Sequence, residues 1–195
     1  MDTRLLTDTL GSIASTPLVL PALRATVSVV LLFLSGISFS LRFWCIPILR
    51  RSPPSPTQVS QFSVIIEQGF AILLPTSQLL AASLLSLTIL TASHANPDVS
   101  GLWRWHAFSV LVLVVMGRWE KRAIFPVNER ILAFDHGVGI GEGAGKGKGG
   151  REYTLEQAAE LKGLLDVWAA KHPWRIVVPL TCGLITFGVT ISQTA

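Results

Sequence analysis

An all-α, integral membrane four-helix bundle is the fold this sequence predicts, and three observations predict it. Only 14% of the 195 residues are charged and 50% are hydrophobic, whereas soluble domains carry about 25% charged residues. Four apolar runs can each reach the roughly 20 helical residues that a bilayer core demands. Between the third and fourth runs stand a glycine-rich loop and a capped amphipathic helix. The length suits one domain, 25–195, behind an N-terminal tail, 1–24. The net charge of +4 does not indicate nucleic acid, because the basic residues flank apolar segments and form no stripe interleaved with aromatics.

The tail, MDTRLLTDTLGSIASTPLVLPALR, mixes acidic and basic residues, and Pro17 and Pro21 break its first apolar stretch. It is therefore a poor secretory signal and reads as a mobile lead-in to the membrane. The first span is predicted at about 25–47, with Arg42 inside its final turns. RRSPPSPTQVSQ follows as a Pro/Ser-rich loop. The second span, at about 69–92, is free of charge from Gly69 to Ser93, and its Pro75 is tolerable because neighbours in a membrane can satisfy the freed carbonyl. The preceding QVSQFSVIIEQ can extend the same helix, and ASHANPDVSG then turns the chain.

The third span, about 103–126, opens on a Trp103/Trp105 belt signal. HAFSVLVLVVMG is too short to cross alone, so the helix has to continue through Arg118, Glu120, Lys121 and Arg122, with their long side chains snorkelling to a surface. Residues 137–150 form the glycine-rich loop. Its motifs are empty: Lys146 and Lys148 lack the upstream glycine and the following Ser/Thr of a phosphate-binding loop. Gly145, Gly147 and Gly150 match GxGxxG without a preceding strand. Thr154 and Gln157 make a capping box, which starts a helix with Leu161, Leu164, Leu165 and Trp168 as its apolar stripe. The last span, about 174–193, is uncharged from Ile176 onward. Cys45 and Cys182 lie in apolar surroundings and read as small hydrophobes, with no disulfide framework or metal-ligand spacing.

Lys and Arg concentrate in the first and third loops, whereas the second loop carries only Arg104 and the C-terminal tail none. The positive-inside rule then puts those two loops in the cytoplasm and both termini on the lumenal or outer side. An endomembrane such as the endoplasmic reticulum is the predicted site.

Strongly polar side chains in hydrocarbon cost about 3 kcal/mol each, so those that remain are candidates. They are Arg42, Glu67, Gln68, His106, Asn128, His172 and Arg175. Each has a plain structural reading. Arg42 and Arg175 can meet lipid phosphate, Glu67, Gln68 and His172 can be wet, His106 can be interfacial, and Asn128 can cap a helix. Against this, Trp168, His172 and Arg175 stand at i, i+4 and i+7 and share one helix face. Pro173, in their midst, lacks an amide donor and disfavours helical geometry at His172, so the helix either kinks there or ends and restarts.

Several stretches together resemble one known family: the first span with its small-residue turn LLFLSGISFS and the following CIPIL; FSVIIEQGFAILLPTSQLL; FPVNERIL; and VWAAKHPWRIVVPL. From about Leu31 to Leu184 the chain resembles the anthrone oxygenases, small four-helix integral membrane proteins of fungal polyketide pathways. The resemblance implies a monooxygenase of secondary-metabolite biosynthesis that oxidises an anthrone-type aromatic polyketide to the anthraquinone. It further implies dioxygen as co-substrate and no metal or flavin. Asn128, Trp168, His172 and Arg175 match its motifs. On this reading His172, whose ordinary pKa lies near neutrality, is the natural base. Arg175 or Asn128 stabilises the enolate or a peroxide anion. Trp168, Trp174 and Phe125 stack on the substrate plane, and Arg42 adds a further contact. Two other classes fit parts of the same pattern. A non-catalytic membrane protein could bind a lipid or a protein partner through Arg42, Arg175 and the basic loop. A transporter would want polar residues deep in several spans, and 69–93 offers few.

Overall fold

The computed structural model describes residues 9, 11–14, 16–134 and 153–193. Among these, every regular element is helical. Four rods, Val19–Arg51, Pro56–Ala92, Pro97–Ala133 and Leu155–Ile191, are long and apolar enough to cross a membrane. The last three have 37 residues each, or about 55 Å at 1.5 Å per residue. A hydrocarbon core is about 30 Å thick. Each rod therefore crosses it and still protrudes by several turns. Side chains such as Phe33, Leu79 and Leu111 are 60–71% exposed on the outer surface, as lipid-facing positions of a multi-pass membrane protein are.

The first rod comprises α1 (Val19–Ser40), a π-helical stretch over Leu41–Cys45 and α2 (Ile46–Arg51). The small residues at Ser35-Gly36 do not turn the chain, contrary to expectation. The irregularity falls instead just before Pro47, which has no N–H for the carbonyl of Phe43, and the amide of Ile46 reaches back to the carbonyl of Leu41. Only 52–55 separate this rod from α3 (Pro56–Ala92), so the loop is shorter than the Pro/Ser composition suggests. Ser55 caps α3, and its hydroxyl accepts the amide of Gln58 at 3.3 Å. Gln58 itself is buried and donates to the carbonyls of Leu49 and Ser52 at the end of α2. Pro75 does not interrupt α3. Around it Thr76 and Ser77 return their hydroxyls to the carbonyls of Ile72 and Leu73, both at 2.6 Å.

Asn96 caps a short turn, α4 (Pro97–Ser100), which leads into α5 (Trp103–Ala123). Pro126 then enforces a break at Ile124, and α6 (Phe125–Ala133) continues the rod. The continuation through charged residues that a third crossing requires is therefore present. The capping box of α7 (Leu155–Lys171) forms in both directions, with Thr154 accepting from the Gln157 amide at 3.2 Å and Gln157 accepting from the Thr154 amide at 3.1 Å. At Pro173 the helix ends and restarts as α8 (Pro173–Ile191). His172 nevertheless keeps right-handed helical angles, φ −65° and ψ −29°. The steric bias against that geometry before proline is overridden, since the His172 amide bonds the Ala169 carbonyl at 3.3 Å and the Arg175 amide bonds the His172 carbonyl at 3.0 Å. The glycine-rich stretch 137–150 lies outside the described residues.

The starts of α1 and α5 and the ends of α3 and α8 share one end of the bundle, here the terminal end. The opposite, loop end carries α2, α6 and α7. Helix α1 packs most extensively on α8, where a Cβ on Gly183 would already stand 3.2 Å from Leu31 and Leu32. Small residues at such crossings let membrane helices approach closely. Two apolar cores result. One, around Leu31, Leu84, Leu87 and Cys182, fills the crossing helices, and the other, around Phe62, Ile131, Leu161, Leu165 and Trp168, fills the loop end. The apolar stripe expected on α7 is the part of that second core which α7 supplies.

Candidate functional site

The restart at Pro173 keeps α7 and α8 nearly in register, so the face shared by Trp168, His172 and Arg175 turns inward as a unit. Trp168 and His172 are 1% and 0% exposed, and the Arg175 side chain is 20% exposed. The Trp168 indole N–H donates to Asn128 Oδ1 at 2.7 Å. Asn128 is 6% exposed and sits inside α6 rather than capping it. Phe62 meets the Trp168 ring edge-on at 5.3 Å. The indole is thus fixed by a hydrogen bond at its polar tip and by packing on its side.

One turn further into the bundle, Arg175 Nε donates to Glu120 Oε1 at 2.7 Å. Glu120 was expected to snorkel outward with its basic neighbours. Its carboxylate instead turns inward, because the guanidinium of Arg175 has no other described carboxylate partner and a lone charge there is costly. Lys171 donates to the Ala123 carbonyl at 2.6 Å, supplying a partner where the break at Ile124 leaves the end of α5 open.

These groups close one end of a cavity of about 410 Å³. Its long walls are apolar, among them Leu34, Leu73 and Leu113, and its polar end holds Asn128, Trp168, Arg175, Glu120 and Lys121. Phe125 lines it in an edge-on pair with Phe70 at 5.3 Å. The open side lies between α3 and α5, where Phe70, Leu74, Val114 and Lys121 line the cavity and are exposed. Gly69 and Gly117 also line it, and a Cβ on either would meet nothing within 4 Å. These two positions leave room that a side chain would take.

The structure brings Asn128, Trp168, Arg175 and Phe125 to this cavity, but not the other three residues singled out from sequence. His172 lies behind the Trp168 ring, with ring centroids 4.3 Å apart, and does not line the cavity. Both of its nitrogens are buried without a partner. Helical periodicity placed it on the right face but not at the right depth. Trp174 is 58% exposed and points away, as a belt tryptophan does. Arg42 stands over the Phe43 ring at 5.7 Å and also stays outside the lining. Glu67 and Gln68 are exposed, and Glu67 accepts from the Ser63 hydroxyl. His106 is 0% exposed rather than interfacial. Sequence reasoning missed Glu120 as a site group. Its signal was there, since Glu120 is the only acid in α5. Among the described residues no three His, Cys, Asp or Glu side chains come together to hold a metal ion. No known protein family, curated protein or solved structure matches the chain.

Proposed function

We propose that the protein binds a flat, apolar aromatic molecule drawn from the bilayer and oxidises it as an anthrone-type monooxygenase, with dioxygen as co-substrate. The observation that carries the binding reading is the form of the cavity: apolar walls, a side open between α3 and α5, and one polar end holding an ion pair and an anchored Asn–Trp pair. At about 410 Å³ it lies within the roughly 300–1,000 Å³ of small-molecule sites, enough for a fused tricycle. The resemblance in PVNERIL and WAAKHPWR supplies the reaction class.

The roles follow what each group can touch. Glu120 is the proton acceptor, because it lines the cavity, whereas His172 is screened by Trp168. Glu120 takes one proton from the methylene, and the resulting enolate gives an electron to dioxygen. The radical pair joins as a peroxide anion, which the Glu120 acid protonates. Loss of the second methylene proton to Glu120 cleaves the O–O bond and forms the carbonyl, and hydroxide leaves as water with that proton. One dioxygen is consumed, one oxygen enters the product and one leaves as water. Arg175, already held on Glu120, stabilises the enolate and peroxide charges, and Phe125 and Trp168 offer ring faces and edges to the tricycle. On this reading the loop end is cytoplasmic and both termini face the lumen of an endomembrane.

The test is anthrone consumption above the spontaneous rate in membranes carrying the protein. Glu120→Gln is expected to abolish it, and His172→Gln to leave most of it. Full turnover in Glu120→Gln would overturn the proton-acceptor role. No turnover in the wild type across a panel of anthrones would favour the second reading, a non-catalytic membrane protein that holds a lipid or apolar ligand in the same cavity.

A further inference from the structure

The terminal end of the bundle holds a second polar cluster, far from the cavity and unconnected with the proposed reaction. Arg24 lies in the second turn of α1 and is 1% exposed, which makes it one of the largest fully buried side chains. Its Nη2 donates to Thr91 Oγ1 at 3.1 Å, its Nη1 donates to Gln193 Oε1, and its Nε is buried without a partner. Both partners are neutral. The ion pairs among the described residues are Arg50–Asp166, Arg130–Glu160 and Arg175–Glu120, so no described carboxylate neutralises Arg24. A guanidinium cannot shed its charge, and a buried charge without a counter-ion is unfavourable.

Beside it lies a small cavity of about 170 Å³, lined by Arg24, Gln193, His94, Thr16, Thr190 and apolar residues such as Leu20 and Val99. Of its five polar side chains, Arg24, Gln193 and His94 keep N–H donors, while Thr16 and Thr190 present oxygens. Gln193 uses its oxygen on Arg24, and its amide nitrogen is buried and unpartnered. His94 Nδ1 accepts the Asn96 amide at 3.1 Å, which leaves the ring proton on Nε2. Thr16 and Thr190 spend their hydroxyl protons on the carbonyls of Ser12 and Thr186. A fixed cation, spare N–H donors and no described carboxylate together make an anion site. The volume equals about six water molecules at ~30 Å³ each. That admits a phosphate group, and Pro17, Leu20, Pro21 and Val99 supply an apolar part of the lining.

We propose that this pocket binds a phosphate group, carried by a lipid head or free in solution, and that Arg24 is its counter-charge. The experiment uses the full chain. Thermal unfolding is followed in detergent with inorganic phosphate against chloride at equal ionic strength. It is also followed in bilayers of phosphatidylcholine with and without phosphatidylglycerol. The wild type is expected to show a saturating rise in unfolding midpoint. A rise with inorganic phosphate marks a free ion, and a rise only with phosphatidylglycerol marks a lipid head. Arg24→Gln is expected to lose that rise and, with no anion present, to unfold above the wild type, since it removes an unneutralised charge. His94→Ala, at the rim, is expected to weaken the anion response several-fold while the chain stays folded, so the test survives if Arg24→Gln does not fold. Three results would overturn the proposal: no anion response in the wild type, an equal response in both variants, or a loss of wild-type stability in Asp2→Asn/Asp8→Asn without any anion effect. The last would assign the counter-charge to the chain itself.

Discussion

If the cavity is where the apolar ligand sits, filling it from its own wall should stop binding without harming the fold. Gly69 and Gly117 permit this test, because both line the cavity and an added Cβ at either meets nothing within 4 Å. A leucine adds four carbons, on the order of 100 Å³ if each takes a little less than a water's ~30 Å³. Gly69→Leu/Gly117→Leu therefore takes the cavity from about 410 Å³ to roughly 200 Å³, below the ~300 Å³ at which small-molecule sites begin. Stability should not fall, since each Gly→Leu in a helix gains about 0.8 kcal/mol of intrinsic propensity and buries apolar carbon instead of leaving a void. Anthrone turnover in membranes is expected to drop at least tenfold in the double variant, with an unfolding midpoint at or above that of the wild type. Gly188→Leu, which also meets nothing within 4 Å but does not line the cavity, is the control and is expected to turn over normally. Wild-type turnover in a folded double variant would refute the placement of the site, and a lowered midpoint would refute the reading of the two glycines as open space.

Trp168→Phe keeps a ring against Phe62 but deprives buried Asn128 of its donor at 2.7 Å. Chemical unfolding should show a loss of about 1–3 kcal/mol, largely recovered by adding Asn128→Leu. Removing either Glu120 or Arg175 alone strands a charge, so a double-mutant cycle of Glu120→Gln and Arg175→Gln should give a coupling of about 0.5–3 kcal/mol. Independent, additive losses would mean that the 2.7 Å pair contributes nothing to stability. Gly183→Leu forces carbon into a contact where a Cβ already stands 3.2 Å from Leu31 and Leu32, and should cost at least the ~1–3 kcal/mol typical of overpacking. Gly188→Leu, on the same helix but with nothing within 4 Å of an added Cβ, should lose no stability and gain up to about 0.8 kcal/mol of helix propensity.

Local chemistry in the sequence already determined much of this molecule. Four apolar runs, the Thr154–Gln157 capping box and the apolar stripe of α7 announce a helical membrane bundle. The spacing of Trp168, His172 and Arg175 announces one shared helix face. These signals are legible because helical period and capping depend on residues within about a turn of one another. What only the tertiary structure decided depends on residues far apart in the chain. Asn128 meets Trp168 across 40 positions and Glu120 meets Arg175 across 55. Arg24, which in sequence looks like an ordinary flank of the first span, is buried through Thr91 and Gln193, 67 and 169 positions away. A period of 3.6 fixes the direction in which a side chain leaves its helix, but not what stands in front of it. His172 therefore shares the face of Trp168 and Arg175 as its spacing requires, yet the Trp168 ring separates it from the cavity. Glu120 reaches that cavity because the packed helices set the half-buried Arg175 beside it.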